Sequence, residues 1–182
     1  MPAPDPRPLV GEPLSLDLLN TRWVHDGAAL DLLTGPEGLA VWLAANGLDT
    51  DARFRADAPT LERTLAARDA LAAAVDRPGD TAAAAAVNEV LGHGRIRALL
   101  TAEGPAEEAE FADPSWGPGW LAARDYLDLL RTAPDRIRAC AHEACVLHFF
   151  DTSRNGTRRW CSMAVCGNRA KASRHYARTK DS

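Results

Sequence analysis

Cysteine is absent from the first 139 residues of this 182-residue chain. That part is therefore not a disulfide-stapled fold, and at this size it can bury a core without staples. Long apolar runs are absent too. No stretch approaches the ~18 residues that a membrane span needs. The opening Met1-Pro-Ala-Pro-Asp-Pro-Arg-Pro8 has no apolar segment of the secretory type. The expectation is a cytoplasmic protein, where thiols stay reduced. The sequence also lacks a glycine-rich phosphate loop and a nucleophile–base pair. His25 with Asp17 is the one acid–base pairing that can be drawn, and it is a poor one, so the chain does not read as an enzyme. Internal repeats and coiled-coil heptads are missing. Met (2), Tyr (2) and Phe (4) are scarce. Alanine abounds, and the hydrophobic fraction of 46% is ordinary for a helix-rich globular chain. Arginine far outnumbers lysine, as in GC-rich genomes.

What is present divides into two parts. Residues 136–182 hold ten Lys+Arg and three Asp+Glu, a balance of +7; residues 1–135 balance at −11. A basic tail on an acidic body points to a polyanion partner, or to a tail that docks on its own body. Residues 1–12 are Pro-rich and read as a flexible arm. Leu14 to Thr21 suits a strand or a helix turn equally, and its length does not decide between them. Asp17, Asn20 and Thr21 lie inside that apolar run. They either bond local backbone or, with Trp23 and His25, line a ligand pocket. Thr34-Gly-Pro-Glu37 predicts a capped helix start, with Leu39, Trp42 and Leu43 on its buried face. A helix from Thr60 follows, with Arg63, Arg68 and Asp69 turned outward, then another over Thr81–Leu91. Asn88 reads as bonding a buried backbone group. Residues 96–101 and 107–111 suggest a small hairpin. A last helix, Trp120 to about Arg131, would bury Trp120, Ala123, Leu127 and Leu130. The stretch Thr132-Ala-Pro-Asp135 marks the boundary between a helical domain, 13–134, and a terminal module, 135–182.

All four cysteines sit in that module, as Cys140-x4-Cys145 and Cys161-x4-Cys166 with fifteen residues between. Two such pairs are the pattern of one tetrahedral tetrathiolate Zn2+. Four thiolates close the shell, so the zinc reads as structural. His142 and His148 are substitute ligands that this donor set does not need. Disulfide switching is the other use of such thiols. Asn155-Gly156 between two strand-like runs predicts a hairpin over 146–160, and Gly167 to Arg178 predicts a helix. Turn, hairpin and helix in that order make a treble-clef-like zinc finger, with zinc supplying on the order of 10 kcal/mol of its folding energy. Arg154, Arg158 and Arg159 flank the hairpin tip. Arg169, Lys171, Arg174 and Arg178 follow on the helix, where the last three share a face. This surface suits phosphates and DNA. The opposed reading is that arginines such as Arg169 only offset the negative zinc–thiolate centre.

At Cys166-Gly-Asn-Arg169, with Arg159-Trp-Cys-Ser-Met163 and the cysteine pairs, the module resembles the CGNR zinc finger. Leu16-Asp-Leu-Leu-Asn-Thr21 is similar to the opening of the ABATE domain, a domain named for stress-induced transcription regulators. The resemblance implies a bacterial zinc-binding transcriptional regulator with Cys140, Cys145, Cys161 and Cys166 as ligands. It also implies structural work at the zinc turn for Gly167 and Asn168. The expectation is a mainly α protein with a small β element: a helical domain that senses a ligand or partner, or dimerises, followed by a DNA-binding finger. The rival is a zinc-stabilised module that docks a protein or RNA.

Overall fold

The computed structural model describes residues 4–171. Among them are five α-helices and three two-stranded antiparallel sheets. The ambiguous run after Pro13 is a helix, α1 (Leu14–Leu19). Leu16, Leu18 and Leu19 are all buried, as are Ser15 and Asp17. A helix enclosed on every side has no polar stripe, which is why its periodicity is mute. Strands β1 (Arg22–His25) and β2 (Ala28–Asp31) form a hairpin. Its turn is Asp26-Gly27, at φ 49° and 80°. Two left-handed residues match the twist of the strands, and Asp-Gly is a preferred pair for that geometry.

Helix α2 (Pro36–Ala45) begins where expected, but Gly35 rather than Thr34 is its N-cap and no side chain caps it. Helix α3 (Ala58–Asp76) starts earlier than Thr60, because Asp57 accepts from the Thr60 amide at 3.1 Å. Helix α4 (Thr81–Leu91) has the expected bounds and presents Ala83, Val87 and Val90 to the core. Asn88 corrects its reading: it is exposed. Strands β3 (Gly94–Thr101) and β4 (Gly104–Phe111) are the expected hairpin, extended by a few residues. Helix α5 (Gly117–Thr132) buries Trp120, Ala122, Ala123 and Tyr126, while Leu130 is exposed. It crosses α3 at Gly119, where an added Cβ would come within 2.7 Å of the Ala67 Cβ.

Two charged residues lie where the sequence did not place them. Arg68 is buried rather than outward. Its guanidinium holds Asp31 through two hydrogen bonds, 2.7 and 2.8 Å, and donates to Thr21 Oγ1 at 2.8 Å. From residue 4 on, the expected loose arm is held to the body: Arg7 is buried and donates to Asp17 Oδ1 at 2.7 Å. Removing one partner of such a pair strands a buried charge, at about 3–5 kcal/mol.

After α5, strand β5 (Ile137–Ala139) pairs with β6 (His148–Phe150). The expected hairpin about Asn155-Gly156 is corrected: β6 pairs backward with residues before the first cysteine, not forward with 158–160. The segment 151–160 is irregular, ordered by Asp151. That carboxylate accepts from the Ser153 and Arg158 amides, both at 2.9 Å, and the bonds to Ser153, foremost, hold it below the usual carboxylate range. A wide helical turn, Met163–Gly167, closes the module. Phe149 at 0% and Leu147 at 4% exposure belong to the same continuous core as Leu16, Trp42 and Leu71. The helical body and the module thus meet across a packed seam.

Candidate metal centre

The first cysteine pair sits on the connection between β5 and β6. Cys140 N donates to Leu147 O at 2.9 Å and Cys145 N to His142 O at 2.9 Å, which curls the chain into a knuckle. Ala141 N donates to Arg159 O at 2.8 Å, bringing the second segment alongside. Cys161 precedes the helical turn that Ser162 caps at the Val165 amide, and Cys166 lies within that turn. The result is that the Sγ atoms of Cys140, Cys145, Cys161 and Cys166 all lie within 4.8 Å of one another.

The donor set fits zinc. Ligands at about 2.3 Å in a tetrahedron stand roughly 3.8 Å apart. Cys145 to Cys161 is 3.7 Å and Cys161 to Cys166 is 3.6 Å. The Cys161 amide also points at Cys140 Sγ at 3.4 Å. Left to themselves, four sulfurs this close do not ionise together. The hydrogen bond from Cys161 pulls the Cys145 thiol down to about 5; Cys161, as its donor, is driven up, and burial pushes Cys166 up to about 11. A divalent cation resolves this conflict by deprotonating all four. The chain thus has a site for one structural Zn2+ held by these cysteines. Neither histidine joins the cluster: His142 Nδ1 accepts from the Ala144 amide at 3.2 Å, and His148 lies nearest Asp76 at 3.7 Å.

Gly167 and Asn168 sit at the turn as expected, in helical rather than left-handed backbone. Asn168 Nδ2 bonds Ala164 O at 3.1 Å, and a side chain at 167 would meet the Met163 thioether. The expected phosphate contacts are unequal. Arg154, Arg159, Arg169 and Lys171 are exposed, with the Arg159 guanidinium 5.3 Å from the Trp160 ring centroid. Arg158 is committed to the fold. It donates to the carbonyls of Trp160 and Cys161, lies over the Phe149 ring at 4.2 Å and faces Glu12. Arg174 and Arg178 lie outside the described residues. Sequence reasoning missed Arg138, exposed on β5 and 3.4 Å from Gly156 O. A strand before the first cysteine would have been its signal.

Asp17, Asn20 and Thr21 correct their pocket reading, because their polar groups are engaged inside the protein. Asp17 accepts from Arg7, the Gly11 amide, Trp42 Nε1 and Asn46. Asn20 grips the His148 backbone from both sides, accepting from its amide at 2.9 Å and donating to its carbonyl at 2.8 Å. Thr21 donates to Leu18 O at 2.6 Å. His25 is exposed on the β1–β2 hairpin. Trp23 does line a cavity, one of about 410 Å³ between that hairpin, α3 and β6.

A helical body with buried Arg7 and Arg68 joined to a tetrathiolate finger is the architecture of a zinc-binding regulatory protein. The family comparisons agree. Residues 12–133 match the ABATE family, described as "Putative stress-induced transcription regulator", and residues 136–179 match the CGNR zinc finger. The chain belongs to the ABATE family, with a CGNR finger following it. No curated protein matches the chain. No helix among the described residues is long and apolar enough to cross a membrane.

Proposed function

We propose that the protein is a bacterial, cytoplasmic transcription regulator that responds to stress and binds DNA through its zinc module. The observation that carries this reading is the contrast in arginine use. Arg138, Arg154, Arg159, Arg169 and Lys171 stand exposed on a module of balance +7, against a body of balance −11. Such residues meet phosphates, and in the sequence Arg174 and Arg178 extend the basic run beyond Lys171. Zinc acts at one remove: it fixes the knuckle and the turn that join the segments carrying these side chains. The helical domain responds to a small molecule or partner, and that response reaches DNA by altering how the finger is presented.

The test is selection from a random duplex pool by zinc-loaded protein, with the zinc-stripped form as control. The regulator reading expects an enriched sequence and an affinity that falls steeply with salt. Absence of binding to any duplex at low salt sinks it. Retention of a single-stranded RNA or an acidic protein instead would favour an interaction module.

A further inference from the structure

The cavity beside Trp23 lies on the seam between the two parts of the chain. Leu19, Trp23, Leu30 and Ala72 line it from the helical body, and Val146 and His148 from the zinc module. Leu30 and Val146 are 41% and 52% exposed, so large apolar groups from both sides stand open to water at one place. A volume of about 410 Å³ with this lining is within the range of small-molecule sites.

The charges around it cancel. Arg22 and Arg68 are matched by Asp31 and Asp76. Asp31 is also saturated: it accepts from Arg68 twice, from Arg22 and from the Leu33 amide. There is no net field to select an ion. Two polar groups nevertheless keep unused capacity. Arg68 Nε has no partner although that side chain is 2% exposed. Among the described residues the His148 ring makes no hydrogen bond, Asp76 being 3.7 Å away, while Asn20 fixes the His148 backbone in place.

We propose that this cavity binds a small uncharged compound with an aromatic or branched aliphatic body and one hydroxyl group, its body against Trp23, Leu30 and Val146 and its hydroxyl at His148. The occupant would touch the helical body and, through Val146, the residue next to the zinc ligand Cys145. That makes it the effector of the regulator proposed above, and its role as effector rests on that reading. Binding itself does not, and it is measured without DNA.

The probe is 4-ethylphenol, titrated into the zinc-loaded full chain at pH 7 and followed by tryptophan fluorescence and by ligand NMR. 4-Ethylbenzoate and 4-ethylbenzylamine serve as charged counterparts. The expected result is saturable binding of 4-ethylphenol at least tenfold tighter than that of either ion. Leu30→Glu, at an exposed rim position, and Ala72→Phe, which fills the cavity, should each weaken it at least tenfold with zinc content and circular dichroism unchanged. No saturation, equal binding of an ion, or wild-type affinity in Leu30→Glu overturns the proposal. Saturable binding in a protein that ignores every duplex would uphold the site and refute the DNA reading.

Discussion

In the helical body, Arg7 and Arg68 have side-chain exposures of 0% and 2%, each against a carboxylate. In the zinc module, Arg154 and Arg159 stand in solvent. The body is large enough to enclose polar groups within its core: buried Trp42 bonds buried Asp17 there. The module has little apolar mass of its own. Leu147 and Phe149 point into the body, and four sulfurs do the work of a core. A small finger stabilised by metal can leave Arg154 and Arg159 outside, while Arg136 and Arg158 bond its loop carbonyls.

The largest test of this contrast is Cys161→Ser. Zinc content should fall from one equivalent to near none, removing on the order of 10 kcal/mol of metal-linked folding. Because β6 is packed in the common core, the helical body should also melt at a lower temperature. A calorimetric transition of the body identical to wild type would show that the two parts are energetically separate. Asp17→Ala should come next. It takes from buried Arg7 one of its two carboxylates, Asp5 being the other, and from Trp42 Nε1 its acceptor, and chemical denaturation should record a loss of about 3–5 kcal/mol.

Arg154→Ala and Arg159→Ala should do the opposite. Stability should stay within about 0.5 kcal/mol of wild type. Duplex affinity should fall, and each change should lower the slope of log K against log salt by about 1. A melting shift without a salt-slope change would mean these arginines belong to the fold. A further test concerns acid. Burial raises the Asp31 carboxyl, but hydrogen bonds from Arg68 and the Leu33 amide, with the Arg68 charge, outweigh it and hold the group below its usual value. A depressed carboxyl adds stability above the unfolded value of about 3.9 and loses it as pH falls through the folded one. Asp31→Asn should therefore be less stable than wild type at pH 7, and the gap should narrow toward pH 3.

The metal site was legible from spacing alone, because cysteine pairs announce their chemistry without any knowledge of the backbone between them. The helices α2 and α4 and the β3–β4 hairpin were legible from turns and periodicity. Arg68 was not, since on α3 it takes a position that local pattern assigns to solvent; its partner Asp31 is 37 residues away. The backward pairing of β6 was hidden for a related reason. Asn155-Gly156 is a strong local hairpin signal, but Arg136 and Asp151 claim the loop, and Ile137 supplies β6 with a better neighbour. The Asp26-Gly27 turn carried the signal of the first hairpin in the sequence itself. The cavity at Trp23 is a property of the seam, which no single segment encodes.

Asn20 and His148 are 128 residues apart. At translation rates of about 5–20 residues per second, the asparagine leaves the ribosome on the order of ten seconds before the backbone it will grip. During that interval the nascent body carries an unfilled slot beside α1. Closing it requires β6, and β6 is aligned by the knuckle that bears Cys140 and Cys145. On this ordering, zinc-linked folding of the knuckle should be the late step that seals the body as well as the finger. A cell short of zinc would accumulate chains that are defective from α1 onward, not merely at their basic end.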